Sequence, residues 1–149
     1  MPRWNIYTLE GTLARKDKDT LAEQITALYV SLGIPAFWVN VFFHEMPVSR
    51  FYSGGKAEHN SVFFHIDHAA RNFETQPEEV RLGFIKKVNE IAGPILGKGL
   101  KWEYNIYDHP RDNWRINGMI PPMDHPEALK EWVAKDEPVV YDGAYAGIE

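Results

Sequence analysis

Residues 61–67 read SVFFHID, with Val62, Phe64 and Ile66 alternating against Phe63, His65 and Asp67. A period of two is the mark of a β-strand with two distinct faces, one apolar enough to be buried and one mixed. The stretch falls mid-chain, and it answers a strand candidate at the N-terminus, RWNIYT at 3–8, built on the β-formers Trp4, Ile6 and Tyr7. What separates the two decides the topology. From Asp17 to Leu32 the apolar residues Leu21, Ile25, Leu28 and Leu32 recur at steps of four, three and four, which predicts a helix that Gly33 and Pro35 stop. FWVNVFF at 37–43 then predicts a largely buried strand, returning parallel beside the first. Gly54-Gly55 marks a turn, read as the tip of a small hairpin.

The same order recurs after residue 61. From Pro77 a second helix carries Val80, Phe84, Val88 and Ile91 on one face, with Glu78 and Glu79 at its positive end and Gly93-Pro94 weakening or ending it. KWEYNIY at 101–107 is a fourth strand. The chain is therefore strand–helix–strand twice over, 1–60 and 61–108. Right-handed crossovers of this kind can share one four-stranded sheet with both helices on one face. The expected fold class is α/β, as a two-layer α+β sandwich. Residues 109–149 read as a turn-rich arm with one short helix near Pro126–Ala134, and its Trp114, Met119, Ile120 and Trp132 require cover. A partner subunit is the expected cover.

Composition narrows the function classes. A chain of 149 residues suits a single domain, and 44% hydrophobic with 25% charged residues is a globular balance. The net charge of −5, with no basic tract, argues against a nucleic-acid partner. Absence of cysteine excludes disulfides and thiolate chemistry and fits a reducing compartment. No stretch approaches the ~18 apolar residues of a membrane span, and Pro2-Arg3-Trp4 does not lead into a signal-peptide core. The expectation is a soluble cytoplasmic protein acting away from membranes.

Chemistry enters with the opening MPRWNIY. Removal of Met1 would expose the secondary amine of Pro2, and an α-amino group titrates near ~7.7–8.0 before its surroundings act on it. Desolvation and neighbouring cations both disfavour the ammonium form, bringing such an amine towards neutrality, where proton transfer is most efficient. The plainer reading is a Met-Pro start with no chemical role. His44, His65 and His68 do not make a metal site: HIDH puts His65 and Asp67 on one strand face and His68 on the other, with no H-E-x-x-H helix and no cysteine. SGGK at 53–56 lacks the spacing of a phosphate-binding loop.

The Pro2 start before an aromatic-rich strand, AEQITALY in the first helix, FFHIDHAAR out of the third strand, WEYNIY as the fourth and INGMIPP after it resemble the tautomerase superfamily. The likeness is to the group around cis-3-chloroacrylic acid dehalogenase, and it covers most of the chain. It implies a homotrimer of tandem β-α-β protomers with no metal or organic cofactor. It also implies a proline general base or acid in a mostly apolar pocket and arginines that hold a substrate carboxylate. Carried over by position, Pro2 falls on the catalytic proline and Tyr104 on a tyrosine that assists water or substrate. Tyr29 falls where the dehalogenase has a carboxylate-contacting histidine, and Ile116 where it has the glutamate that activates water. HAARNF supplies Arg71 alone where the dehalogenase has two arginines, with Arg115 and Arg111 as candidate replacements. The expected function is keto–enol tautomerisation of a small carboxylate-bearing substrate. Hydratase or dehalogenase-like water addition to an unsaturated acid, and a non-catalytic trimeric binding protein, remain open alternatives.

Overall fold

In the computed structural model, which describes residues 2–69 and 73–147, the mid-chain alternation is a strand whose two faces meet different surroundings. The elements run β1 (Arg3–Leu9), α1 (Arg15–Val30), β2 (Asn40–Met46), β3 (Tyr52–Ser53), β4 (Lys56–Ala57), β5 (Ser61–His68), α2 (Glu78–Leu96), β6 (Lys101–Asp108) and α3 (Pro126–Lys135). The main sheet has the order β2-β1-β5-β6; β1 and β2 are parallel, as are β5 and β6, while β1 and β5 meet antiparallel. Two parallel crossover units thus join back to back through their first strands, and α1 packs beside α2.

Trp4 and Ile6 of β1 and Phe64 and Ile66 of β5 are fully buried towards the helices, while Asn5, Tyr7, Phe63, His65 and Asp67 on the other parity stay half-exposed. Among the described residues that second face carries no covering layer. It bears aromatic pairs instead: Tyr7 stacks on His44 at 4.6 Å and His65 on Tyr107 at 4.3 Å.

Local chemistry sets the boundaries, with three departures from expectation besides β2, which is an outer strand of the sheet, starts at Asn40 and is half-exposed to exposed along its length rather than largely buried. Helix α1 buries Leu21, Ile25 and Tyr29, at steps of four, so Tyr29 rather than Leu32 completes its inner stripe. Leu32 lies past the helix end and Gly33 takes a left-handed φ of 81° that stops it. Helix α2 does not end at Gly93-Pro94 but continues to Leu96. Pro94 offers no N–H to the carbonyl of exposed Glu90, and fully buried Leu96 anchors the last turn beyond it. Gly54 and Gly55 have φ of 58° and 78°, the two positive values that a two-residue type I′ hairpin turn requires between β3 and β4.

The third departure concerns the arm, whose Trp114, Met119 and Trp132 are covered by their own chain, while Val133, Val140 and Tyr145 stay exposed. Trp132 is fully buried and packs edge-on to Trp38 at 5.9 Å, Trp114 meets the same ring at 4.8 Å, and Met119 is also buried. Polar ties hold the arm in register: Trp132 Nε1 donates to Val139 O (2.6 Å), Tyr141 Oη to Ile120 O (2.7 Å), and the Phe37 N–H to Asp136 Oδ1 (2.9 Å). No partner subunit is needed for these side chains. Sequence periodicity could not show this, because the contacts that dock the arm, Trp38 with Trp114 and Trp132 and the Phe37 N–H with Asp136, are non-local.

Candidate functional site

The site is built where β1 starts and β5 and β6 end. Pro2, buried, hands its carbonyl to the Asn40 N–H (3.0 Å), and the next residue, Arg3, pairs across the sheet with Asp67. Strand alternation then divides the two: Pro2 shares the parity of Trp4 and Ile6, towards the helices, and Arg3 that of the open face.

Behind Pro2 lies a buried polar chain. Trp4 Nε1 donates to Tyr29 Oη at 3.2 Å, and Tyr29 Oη lies 3.3 Å from His68 Nδ1. The phenol oxygen accepts the indole N–H and shares a second hydrogen bond with His68 Nδ1, whose direction follows the His68 tautomer. Burial pushes the Tyr29 phenol far above its ordinary value, against the smaller opposing effect of the Trp4 hydrogen bond. The His68 ring stacks on Phe73 at 4.6 Å and 7° between planes, with Phe84 at 4.7 Å.

On the open-face side, which Arg3 rather than Pro2 reaches by strand parity, lies a cleft of about 410 Å³ lined by Arg3, Asp67, Ala69, His109, Pro110, Asn113, Trp114 and Arg115. Its centre is Asp67, whose Oδ1 accepts from His65 Nε2 at 3.0 Å and from His109 Nε2 at 2.6 Å. Arg115 is pinned by Nη1 donations to Asp112 O (2.7 Å) and Trp114 O (2.9 Å). It stands between this cleft and a smaller one of about 190 Å³ that also takes in Arg111, Met123 and Asp124.

The residues singled out from the sequence therefore do not all meet. Pro2 directly precedes the cleft residue Arg3 without lining the cleft itself, Arg115 lines it, and Arg111 lines only its smaller neighbour. Tyr29 is fully buried and lines none of these clefts; its hydroxyl is engaged by Trp4 and His68. Tyr104 faces α2 from the edge strand β6, donates to Asn89 Oδ1 (2.8 Å), and lines a separate groove of about 540 Å³ with Glu74, Arg81 and Asp108. Ile116 is half-buried and bridges to Met119. Arg71 lies outside the described residues. The sequence reading passed over Arg3, Asp67, His109 and Asn113 as site residues. HIDH did place Asp67 on the open face, but His109 reaches it only through the β5/β6 register.

Comparison with known proteins agrees with this architecture. A family model described as "Putative oxalocrotonate tautomerase enzyme" matches residues 1–137. A crystal structure of a probable enzyme from the thermophilic fungus Aspergillus fumigatus is 42% identical, with 95% of this chain and 98% of that one covered and a TM-score of 0.87. Native RhCC from Rhodococcus jostii RHA1 is 36% identical over 94% of this chain and 100% of its own, with a TM-score of 0.86. Pt0534, solved after inactivation by 2-oxo-3-pentynoate, is 25% identical over 78% of this chain and 93% of its own, with a TM-score of 0.62. No curated protein matches the chain.

Proposed function

The chain belongs to the oxalocrotonate-tautomerase-like family of the tautomerase superfamily, and from that premise we propose that it is a cofactor-independent keto–enol tautomerase of a small carboxylate-bearing substrate. In this reading the Pro2 amine, exposed by loss of Met1, is the general base and acid. The observation that supports it is that Pro2 directly precedes Arg3, which lines the cleft together with Arg115. Those cations favour the neutral amine and an anionic substrate at once. Arg71, two residues past the cleft residue Ala69, is proposed as a further carboxylate ligand. Inactivation of the relative Pt0534 by 2-oxo-3-pentynoate supports a 2-oxo acid or its enol as the substrate type.

Three features refine the proposal. The open sheet face, with Phe42 and Tyr107 each more than two-fifths exposed, supports the homotrimer that the resemblance implies. Light scattering that shows a monomer at micromolar concentration would remove it. Tyr104 lies two strands from β1, so a role at Pro2 has to be played from a neighbouring copy. Within the superfamily we place the chain in the cis-3-chloroacrylic acid dehalogenase-like group, yet expect slow or no dehalogenation. Removing halide by hydrolysis needs a positioned base for water, and Ile116 is apolar.

The test is phenylenolpyruvate ketonisation by protein whose first residue is confirmed as Pro2 by intact mass, beside Pro2→Ala and a form retaining Met1. The expected result is activity in the first alone. Equal rates in all three would exclude Pro2 as the base, and no activity in any would leave the non-catalytic binding protein as the better reading.

A further inference from the structure

Asp67 and His109 make an arrangement that the proline chemistry does not use. His109 is fixed twice: its backbone N–H donates to His68 O at 2.9 Å, and its Nε2 lies 2.6 Å from Asp67 Oδ1. An ionised carboxylate only accepts, so Nε2 is the protonated nitrogen and Nδ1 is left to hold or release a mobile proton. The Asp67 side chain is only 15% exposed, whereas that of His109 is 49% exposed and on the cleft wall. A mostly buried carboxylate orienting a half-exposed imidazole at a cleft is the arrangement of a general acid with its positioning group. His65 shares the same carboxylate oxygen but is turned along the open face against Tyr107 and does not line the cleft.

We propose that His109 is a second proton-transfer group of this cleft, a catalytic residue positioned by Asp67 and acting together with Pro2, whose chain neighbour Arg3 lines the same cleft. The inference rests on the tautomerase reading given above. For an enol acid the step is complete with these groups. The Pro2 amine takes the hydroxyl proton, and the O–H electron pair becomes the new C=O π bond. The former C=C pair takes a proton from His109 Nδ1. Proline is left as the ammonium and His109 as neutral imidazole, and one proton exchanged through water at the open mouth of the cleft resets both. Two separate groups remove the need for one amine to visit both the oxygen and the distant carbon.

The experiment uses the Pro2-starting protein and phenylenolpyruvate, with His109→Ala, Asp67→Asn, Asp67→Glu, His65→Gln and Pro2→Ala, each checked for folding by its thermal transition. His109→Ala should lose about 10²-fold or more in kcat with KM within about twofold. Added imidazole should restore part of that rate, which no purely structural role of His109 would allow. Asp67→Asn should lower kcat in the same direction without imidazole rescue, because the ring is still in place, and Asp67→Glu should recover part of the loss. His65→Gln, which breaks the other bond to Asp67, should stay within about twofold of the parent. Full activity in His109→Ala with Pro2→Ala inactive would overturn this inference and leave the proline reading standing. Full activity in Pro2→Ala with His109→Ala inactive and rescued would do the reverse. A fall in His109→Ala that imidazole does not touch, or an inactive parent, would overturn the inference.

Discussion

Tyr29→Phe separates a core role for this phenol from a substrate-binding one. The substitution keeps the ring against Phe84 (5.9 Å) and deletes only the oxygen that accepts from Trp4 Nε1 and reaches His68 Nδ1. Both partners are essentially inaccessible to water, Trp4 at 0% and His68 at 1% exposure. Each neutral group stripped of this bond in a buried site costs about 1–3 kcal/mol. Bonds of 3.2 and 3.3 Å belong to the weaker half of that range, so a total loss of about 2–4 kcal/mol is expected. For a chain of this length about 1 kcal/mol corresponds to roughly 3–4 °C, which sets the fall in Tm at roughly 6–15 °C. Urea unfolding should show the same loss in midpoint with an unchanged m-value, since the exposed surface is the same. The KM for phenylenolpyruvate should not change, because the phenol lines no cleft. A rise in KM of tenfold or more with stability unaltered would refute the reasoning and make Tyr29 a substrate ligand.

Pro94→Ala should stabilise the protein by about 1–3 kcal/mol in urea unfolding, because α2 runs through this position and alanine restores an N–H to an unstrained helix. A neutral or destabilising result would mean that the helix is broken there. Glu58 accepts the backbone N–H groups of Asn60 (2.9 Å) and His59 (2.8 Å), and these bonds, Asn60 foremost, hold its carboxyl below the usual value. A folded value lower than the unfolded one means that this stabilisation is full above the ordinary carboxylate range and is lost as pH falls through the folded value. Glu58→Gln should therefore unfold at a lower temperature than the parent near neutrality and converge with it in acid; parallel curves at all pH values would contradict the assignment.

How far the sequence spoke depended on the range of the interactions concerned. The alternation in β5, the stripes of α1 and α2 and the Gly54-Gly55 turn are local, and each element formed within a few residues of its expected place. The choice between Leu32 and Tyr29 at the end of α1 was not local, because Tyr29 is drawn inwards by hydrogen-bond partners and rings from β1, β5 and α2. Pro94 illustrates a similar gap: its intrinsic preference opposes a helix, yet the burial of Leu96 beyond it outweighs that preference. Of the proposed site, Pro2 and Arg115 could be marked from the sequence by a resemblance, and of these two Arg115 lines the cleft. Asp67 and His109 are 42 positions apart and meet only through strand register.

The arm ties the site to the stability of the fold in a way its composition alone does not suggest. Trp114 serves two surroundings, with one edge against Trp38 in the core and another surface in the cleft. Asn113 and Arg115, its neighbours on either side, are cleft residues too. Trp38 stands just before β2, whose parallel pairing with β1 begins at Arg3 and Asn40, the turn of chain that also holds the Pro2 carbonyl. The arm is fastened to that same segment a second time, through Asp136 and the Phe37 N–H, and a third through Trp132 on Phe37 and Trp38. Docking of the arm and placement of the N-terminal proline are thus two consequences of one aromatic cluster. Loosening the arm displaces five cleft residues, His109, Pro110, Asn113, Trp114 and Arg115, and slackens the strand start that carries Pro2, the proposed base, so the arm serves as one wall of the cleft.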